Sequence, residues 1–383
     1  MRTLWKVNQA GAAVMNRRLV VHLLREQGPL SRQQLAQRTG LRSSSLTYIT
    51  RDLMDRGVIR TFGKLERPGA GKKQVLLEVD PGLGWVLGVG VEGDAAALVM
   101  LDCKGDVIDR DRILLREPFQ FLPQVLKSRI ENWSARRGAP PGKLLGVGVG
   151  MTGVIDPDAG VVLRSTRFKL ENHPLAQRLS EAFGTPVRID NDSNLAAFAE
   201  ARQGNAADAA NFLYFLVNSS EKGDRYAIDS LGSALFINGQ VYRGAHYGAG
   251  EIDTLIEGDH FDAVTAEQLL ALSAADGPFS DDLHPLANRM AQTLAAIADL
   301  LDPAVIILGG NLGLTNRRMI AHIQEQLHQH LVPLPKRHVA VRPSLFMDHG
   351  VSMGAAFAVL DEVLLASPAD ANRHALSAPG VQS

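Results

Sequence analysis

The sequence predicts a winged helix-turn-helix head carried on an α/β body in which a mixed sheet is repeated twice. Three observations lead there. Residues 1–75 hold fifteen Lys and Arg against four Asp and Glu, about +11, so the rest of a chain of net charge −1 carries about −12. Within the basic segment, three short helical patterns are separated by Gly28-Pro29 and Thr39-Gly40. Beyond it strand and helix patterns alternate, and each half of the body opens on hairpin-like β segments, Trp85 to Asp111 and Phe212 to Val241. A basic head on an acidic body reads as a polyanion-binding module attached to something else.

The head follows in order. Val14 to Arg25 is apolar at Val14, Leu19, Val20, Leu23 and Leu24, a helical period. Ser31 precedes Gln34 at the capping-box spacing and opens a second helix through Arg38, which Thr39-Gly40 breaks. A third helix runs from about Arg42 to Arg56, with Leu46, Ile49, Leu53 and Met54 inward and Gly57 as its stop. Its outward face, Arg42, Ser43, Ser44, Ser45, Thr47, Tyr48 and Arg51, consists of side chains able to reach phosphates and base edges in a major groove. Val58 to Phe62 and Gln74 to Val79 read as strands around the basic loop LERPGAGKK, a wing whose Lys64, Arg67, Lys72 and Lys73 are placed for the DNA backbone. The competing reading of this segment is a three-helix interaction module with a solvated basic face.

Composition bounds the rest. The chain has 383 residues, enough for two or three domains, and its 45% apolar and 21% charged content is that of a soluble globular protein. No apolar run approaches the roughly 18 to 20 residues that span a bilayer, and the N-terminus lacks a signal-peptide pattern, so a cytoplasmic protein with no membrane partner is expected. The single cysteine, Cys103, excludes an intramolecular disulfide and multi-cysteine zinc sites. His328 and His330, two residues apart, read as surface residues. The expected divisions are a DNA-binding head over 1–80, a body over 81–365, and a tail over 366–383, rich in Ala, Ser, Pro and Asn, that is expected to be disordered.

In the body, GVGVEGDAAALVMLD (Gly88 to Asp102) contains GxGxxG, the spacing of a dinucleotide site. That reading needs a helix after the glycines, and here a strand follows, so strand, turn and strand are expected instead. Leu144 to Gly150, Pro186 to Asp190 and Ala304 to Leu308 read as buried strands. Helices are expected over Pro174 to Phe183, Leu195 to Gln203, Leu286 to Leu301 and Ser352 to Leu364. The polar stretch NSSEKGDR (Asn218 to Arg225) reads as a mobile loop near the cleft.

With the head in front of them, GVGVGMTGVID (Gly146 to Asp156), IDNDSNLAAFAE (Ile189 to Glu200), INGQVYRGAHYGAGEID (Ile237 to Asp253) and LDPAVIILGGNL (Leu301 to Leu312) resemble the ROK family of repressors, open reading frames and kinases. The resemblance extends to about Leu365. It implies an actin-like body of two ribonuclease-H-like lobes around a sugar cleft, ATP as a substrate of the kinase members, and homo-oligomers.

Departures from the kinase pattern matter. Where the kinases read like DxGGTK, this chain has Gly90, Glu92 and Asp94 at the aspartate, first glycine and threonine, placing two carboxylates where a triphosphate would sit. The second phosphate loop reads Ile228-Asp229-Ser230-Leu231-Gly232-Ser233-Ala234, with most glycines lost and another acid gained. Gly309-Gly310 is kept, with a tight strand-to-helix turn as sufficient structural reason. The opening GxGxxG therefore reads as the remnant of a phosphate hairpin, and ATP is not expected.

On the sugar side the resemblance aligns Asp192 with the kinase base, Asn191 beside it, and Glu251 with the carboxylate that grips ring hydroxyls. The competing role for Asp192 and Asn194 is capping of the following helix. Arg167 stands where an asparagine is expected, which favours an acidic or phosphorylated ligand or else fills the cleft. Thr254 replaces a histidine that contacts sugar and often zinc, and the cysteine-rich zinc loop is absent, so zinc is not expected.

The leading expectation is a sugar-sensing transcriptional regulator, a repressor without kinase activity. It would bind a pseudo-palindromic double-stranded operator as a homodimer or tetramer and respond to a sugar or sugar phosphate. Two alternatives stand beside it. One is an ATP-dependent sugar kinase with a regulatory head and Asp192 as base; the other is a ligand-independent regulator whose body is only a dimerisation scaffold.

Overall fold

The computed structural model describes residues 9–65, 74–116, 119–138, 140, 142–252, 263–312 and 314–365. The expected tail lies outside these residues.

The head forms where turn and cap residues dictate. Helix α1 (Gln9–Glu26) is followed by a two-residue strand β1 (Leu30–Ser31), α2 (Arg32–Thr39) and α3 (Ser43–Asp55). Ser31 closes the capping box with Gln34 in both directions, and Gly40 ends α2 in the left-handed conformation at φ 69°. Strands β2 (Ile59–Leu65) and β3 (Gln74–Val79) flank the wing, and β1 completes an antiparallel sheet in the order β1-β3-β2. Leu46, Ile49 and Leu53 are buried as expected, whereas Met54 is not: it lies outside the core, with its sulfur 3.8 Å from Arg32 Nη2.

The body has two lobes of the same topology. The first begins with β4 (Gly84–Glu92), β5 (Ala95–Asp102) and β6 (Val107–Leu114), continues through α4 (Leu122–Arg137) to β7 (Lys143–Met151), and after β8 (Val154–Asp156), β9 (Val161–Ser165), β10 (Leu170–His173) and α5 (Leu175–Phe183) ends on β11 (Val187–Asn191). Its sheet runs β6-β5-β4-β7-β11, antiparallel across the first three strands and parallel thereafter. Helix α6 (Asp192–Gln203) leads to the second lobe, built from β12 (Phe212–Lys222), β13 (Arg225–Ile237), β14 (Gln240–Tyr242), β15 (Val264–Thr265), α7 (Ala266–Ser273), α8 (His284–Leu301), β16 (Val305–Gly309), α9 (Arg317–His330) and β17 (Ala340–Pro343). Its order, β14-β13-β12-β16-β17, repeats that of the first lobe. Helix α10 (Gly350–Leu365) then returns to pack on the first sheet.

Glycines on β4 and β7 serve that return. A Cβ on Gly88 would lie 2.0 Å from Ser352 O, and one on Gly148 in the neighbouring strand 2.0 Å from Ala355 O. A further close approach, Gly354 against the carbonyl of Leu195, seats α10 on α6. The glycine pattern on β4 and β7 is therefore a helix-packing surface, and β4 turns directly into β5 as expected.

Three expectations are corrected. NSSEKGDR is not a loop: β12 and β13 stay paired as far as Lys222 and Arg225 and turn through Gly223 at φ 68°. Asn311 holds this polar stretch, accepting from Ser219 N at 2.7 Å and donating to Ser219 O at 3.0 Å. Gly309-Gly310 does not turn directly into a helix, because α9 begins only at Arg317; Gly310, at φ 105°, instead lets the chain pass against the carbonyl of Val217. Finally, His328 is half-buried rather than a surface residue, stacked on His338 with 5.1 Å between ring centroids.

Candidate functional site

The first candidate surface is α3. Its apolar positions, with Thr50, are buried against the head, and Arg32 Nε donates to Thr50 Oγ1 at 2.8 Å, fixing α2 across α3. All seven predicted contact residues, Arg42, Ser43, Ser44, Ser45, Thr47, Tyr48 and Arg51, are exposed on the opposite side. Thr47 already donates its hydroxyl to Ser43 O at 2.8 Å, so its methyl and its oxygen lone pairs are what remain for a partner. Lys64 lies on β2, while Arg67, Lys72 and Lys73 fall outside the described residues.

The second candidate site is the N-terminus of α6, where the first lobe passes into the second. Helix α6 starts three residues earlier than expected, which puts Asp192 in its first turn and makes Asn191 the cap, accepting from Asn194 N at 3.2 Å. The capping role expected of Asp192 and Asn194 belongs to Asn191, whose Nδ2 also donates to Gly153 O at 3.1 Å. Asp192 is buried, and burial pushes its carboxyl up, opposed by the N–H and hydroxyl of Ser193. Asn194 Nδ2 donates to Asp190 Oδ1 at 3.3 Å, while its own Oδ1 has no donor among the described residues.

The loop carrying Glu251 comes to the same end of α6. Ser233 Oγ donates to Gly250 O at 2.9 Å, and the adjoining Gly232 faces Ser193, so close that a Cβ would lie 2.3 Å from its Oγ. Glu251 is exposed beside them, and Thr254 lies outside the described residues. An ion pair that no local pattern announces ties this loop down: Arg243 Nη2 to Asp190 Oδ2, with Asp190 fully buried on β11. Tyr247, on the same loop at φ 61°, bonds to Asp156.

Arg167 stands apart, its guanidinium lying against Gly93 at the tip of the β4–β5 turn, exposed to solvent. Next to that tip, Glu92 accepts from Arg112 at 3.3 Å, and Arg112 also reaches Asp348 at 3.9 Å. Burial pushes the Glu92 carboxyl up to about 7; Arg112 opposes the shift, and Asp192 and Asp348 add to it. The position of the first phosphate loop thus carries an internal carboxylate–guanidinium pair next to the buried Asp192.

Glu200, the last residue of the IDNDSNLAAFAE block, is also occupied internally. Its carboxylate takes the Ser344 hydroxyl at 2.6 Å, Leu345 N at 2.8 Å and Asn205 N at 2.7 Å, fastening α6 to the chain that enters α10.

A winged head joined to two lobes that repeat one mixed-sheet order defines an actin-like regulator or kinase class. The ROK family profile matches residues 86–256 and 262–362, and a winged helix-turn-helix DNA-binding profile matches 16–60. The chain belongs to the ROK family. Among curated relatives, the xylose repressor of Caldicellulosiruptor bescii is 20% identical over 91% of this chain and 96% of its own length. The DNA-binding transcriptional dual regulator NagC of Escherichia coli K12 is 21% identical over 92% and 93% respectively. Among solved structures, a ROK family transcriptional regulator described as a homologue of the E. coli Mlc protein superposes with TM-score 0.72 at 19% identity, over 92% of this chain and 97% of that one. A ROK glucokinase from Streptomyces griseus, solved with glucose and AMPPNP, superposes with TM-score 0.58 at 19% identity and covers 72% of this chain and 99% of its own. The first likeness extends over head and body, whereas the second spans a share comparable to the body alone. Among the described residues no helix is long and apolar enough to cross a membrane.

Proposed function

We propose that the protein is a transcriptional repressor of carbohydrate metabolism, binding a pseudo-palindromic operator through α3 as a homodimer or tetramer. The observation that carries this reading is the unbroken exposed polar face of α3 within a segment, residues 1–75, of net charge about +11. A cleft at the N-terminus of α6 is its effector site, with Asp192, Asn191 and Glu251 as acceptors for sugar hydroxyls, and Arg167, apart from them at the β4–β5 turn, is the candidate for the phosphate of a phosphorylated ligand. Neither ATP nor zinc is part of the function. By the resemblance, Glu92 stands where kinase members hold a nucleotide phosphate, and its carboxyl group engages the guanidinium of Arg112.

The test is operator affinity of the Arg42→Ala, Arg51→Ala double variant. A loss of at least tenfold, with a shallower salt dependence, supports α3 as the reading helix; unchanged affinity removes it. Sugar-dependent ATP turnover that disappears in Asp192→Asn would replace the repressor reading with a kinase carrying a regulatory head. No thermal shift with any member of a panel of sugars and sugar phosphates would leave the body as a dimerisation scaffold.

A further inference from the structure

The head is not hung on a free linker. Val20, Leu35 and Leu77 of the head share one continuous core with Val86, Ala199, Phe357 and Leu364 of the body. Polar contacts join the same surfaces: Arg25 Nε donates to Lys104 O at 3.0 Å, Lys104 Nζ to Glu78 Oε2 at 2.9 Å, and Arg56 Nη2 to Leu364 O at 3.0 Å.

At the centre of this junction two guanidinium groups share one carboxylate oxygen. Arg25 of α1 and Arg202 of α6 both donate to Asp361 Oδ1, each at 2.9 Å, and the Arg25 side chain is 0% exposed. Arg25 Nη2 and Arg202 Nε, together with His22 Nδ1 one turn earlier on α1, are buried without an acceptor among the described residues. Gly105 closes the pocket over Arg25, where a Cβ would lie 2.3 Å from Nη2. Burial and the facing Arg202 both disfavour the charge on Arg25, and Asp361 and Glu26 compensate only in part. A buried carboxylate facing two cations leaves uncompensated charge, so the docked head is held by an arrangement that small displacements can upset.

Helix α6 brings the effector cleft to this point. It begins at Asp192 and places Arg202 ten residues later, about 15 Å along a continuous helix. It is also the element that both lobes share: Ala196 and Ala197 pack with Phe212 and Leu216 of the second lobe, while Ala199 packs in the core common to α10 and the head.

We infer that Asp361 is the positioning residue that sets the head relative to the cleft, and that Arg202 is the lever by which movement of α6 reaches Arg25. The chain of contacts is Asp192, α6, Arg202, Asp361, Arg25 and α1. The inference rests on the proposal that the cleft is an effector site and the head an operator-binding unit. A coupling of this kind shifts operator affinity only by the difference in effector affinity between the two head positions.

Asp361→Asn would leave two buried cations facing each other and is liable to unfold, so the decisive variant is Arg202→Gln, which removes the excess charge and keeps Arg25 paired. In the full chain it is expected to bind a selected operator fragment within twofold of wild type and to give the same thermal shift with D-xylose, D-glucose or D-glucose 6-phosphate. The change in operator affinity that the active sugar causes in wild type falls to within twofold of none, and Arg202→Lys restores part of it. A full sugar response in Arg202→Gln overturns the inference. If no sugar acts on wild type, the effector reading fails, and the lever is judged by a cycle of Asp192→Asn with Arg202→Gln on operator affinity alone. Residues so far apart normally act additively. A deviation of at least threefold from the product of the single effects supports the lever, and additivity rejects it.

Discussion

Gly148→Ala is expected to cost the body much of its stability. The added Cβ would lie 2.0 Å from the Ala355 carbonyl oxygen, where ordinary contact begins at 3.4 Å, so α10 would have to recoil by more than 1 Å. It cannot do so freely, because Ser352 is already seated on Gly88 and Gly354 on the Leu195 carbonyl. Overpacking of this kind costs roughly 1–3 kcal/mol, and backbone-on-backbone contact places it at the upper end, about 3 kcal/mol. For a body of this size that lowers Tm by roughly 6–12 °C. Scanning calorimetry of Gly148→Ala beside Gly63→Ala, whose Cβ meets nothing within 4 Å, measures the effect against a control expected to stay within about 0.5 kcal/mol of wild type. A Gly148→Ala protein that melts within 1 °C of wild type, on the order of 0.3 kcal/mol or less, would refute the packing role assigned to this glycine stripe.

Other substitutions probe the remaining parts of the account. Ser31→Ala removes the hydroxyl that accepts from Gln34 N, leaving only the bond from the residue-31 N–H to Gln34 Oε1, and should destabilise the head by about 1 kcal/mol in a denaturant titration; no change would mean that α2 is held by packing alone. Asp361→Asn should cost about 3 kcal/mol or more, because Arg25 is fully buried and would lose the carboxylate to which it is hydrogen-bonded, whereas Arg202→Gln should leave stability near wild type. Glu92 titrates at about 7 in the fold against 4.5 when free, so the folded state holds its proton more tightly and stability falls as pH rises through that window. Glu92→Gln, which has no proton to lose, should gain about 2–3 kcal/mol relative to wild type between pH 5 and pH 8; a difference that does not change with pH would contradict the burial assigned to this carboxyl.

What was legible in the sequence was local. The Ser31–Gln34 box, the stop at Gly40 and the sidedness of α3 depend on residues a few positions apart, and the structure places them as expected. That a mixed sheet is repeated was legible because each lobe opens with its own hairpin-forming β segments; the strand order was not. The misjudged or missed features depend on partners far along the chain. NSSEKGDR looked like a loop because nothing nearby satisfies its polar groups; Asn311, some ninety residues later, does. Asp190 carries no local mark beside Asn191 and Asp192, because its partner Arg243 belongs to the other lobe. The Arg25–Asp361–Arg202 junction joins three helices that no local pattern relates.

The central claim is that this chain reads DNA sequence through α3. Selection of sheared genomic DNA by the purified protein at near-physiological salt, followed by sequencing, tests it most directly, because salt suppresses retention by phosphate contacts alone. The account predicts enrichment of a pseudo-palindrome by wild type that is lost in the Arg42→Ala, Arg51→Ala variant. Featureless retention by wild type, or an enriched sequence that survives both substitutions, would contradict it.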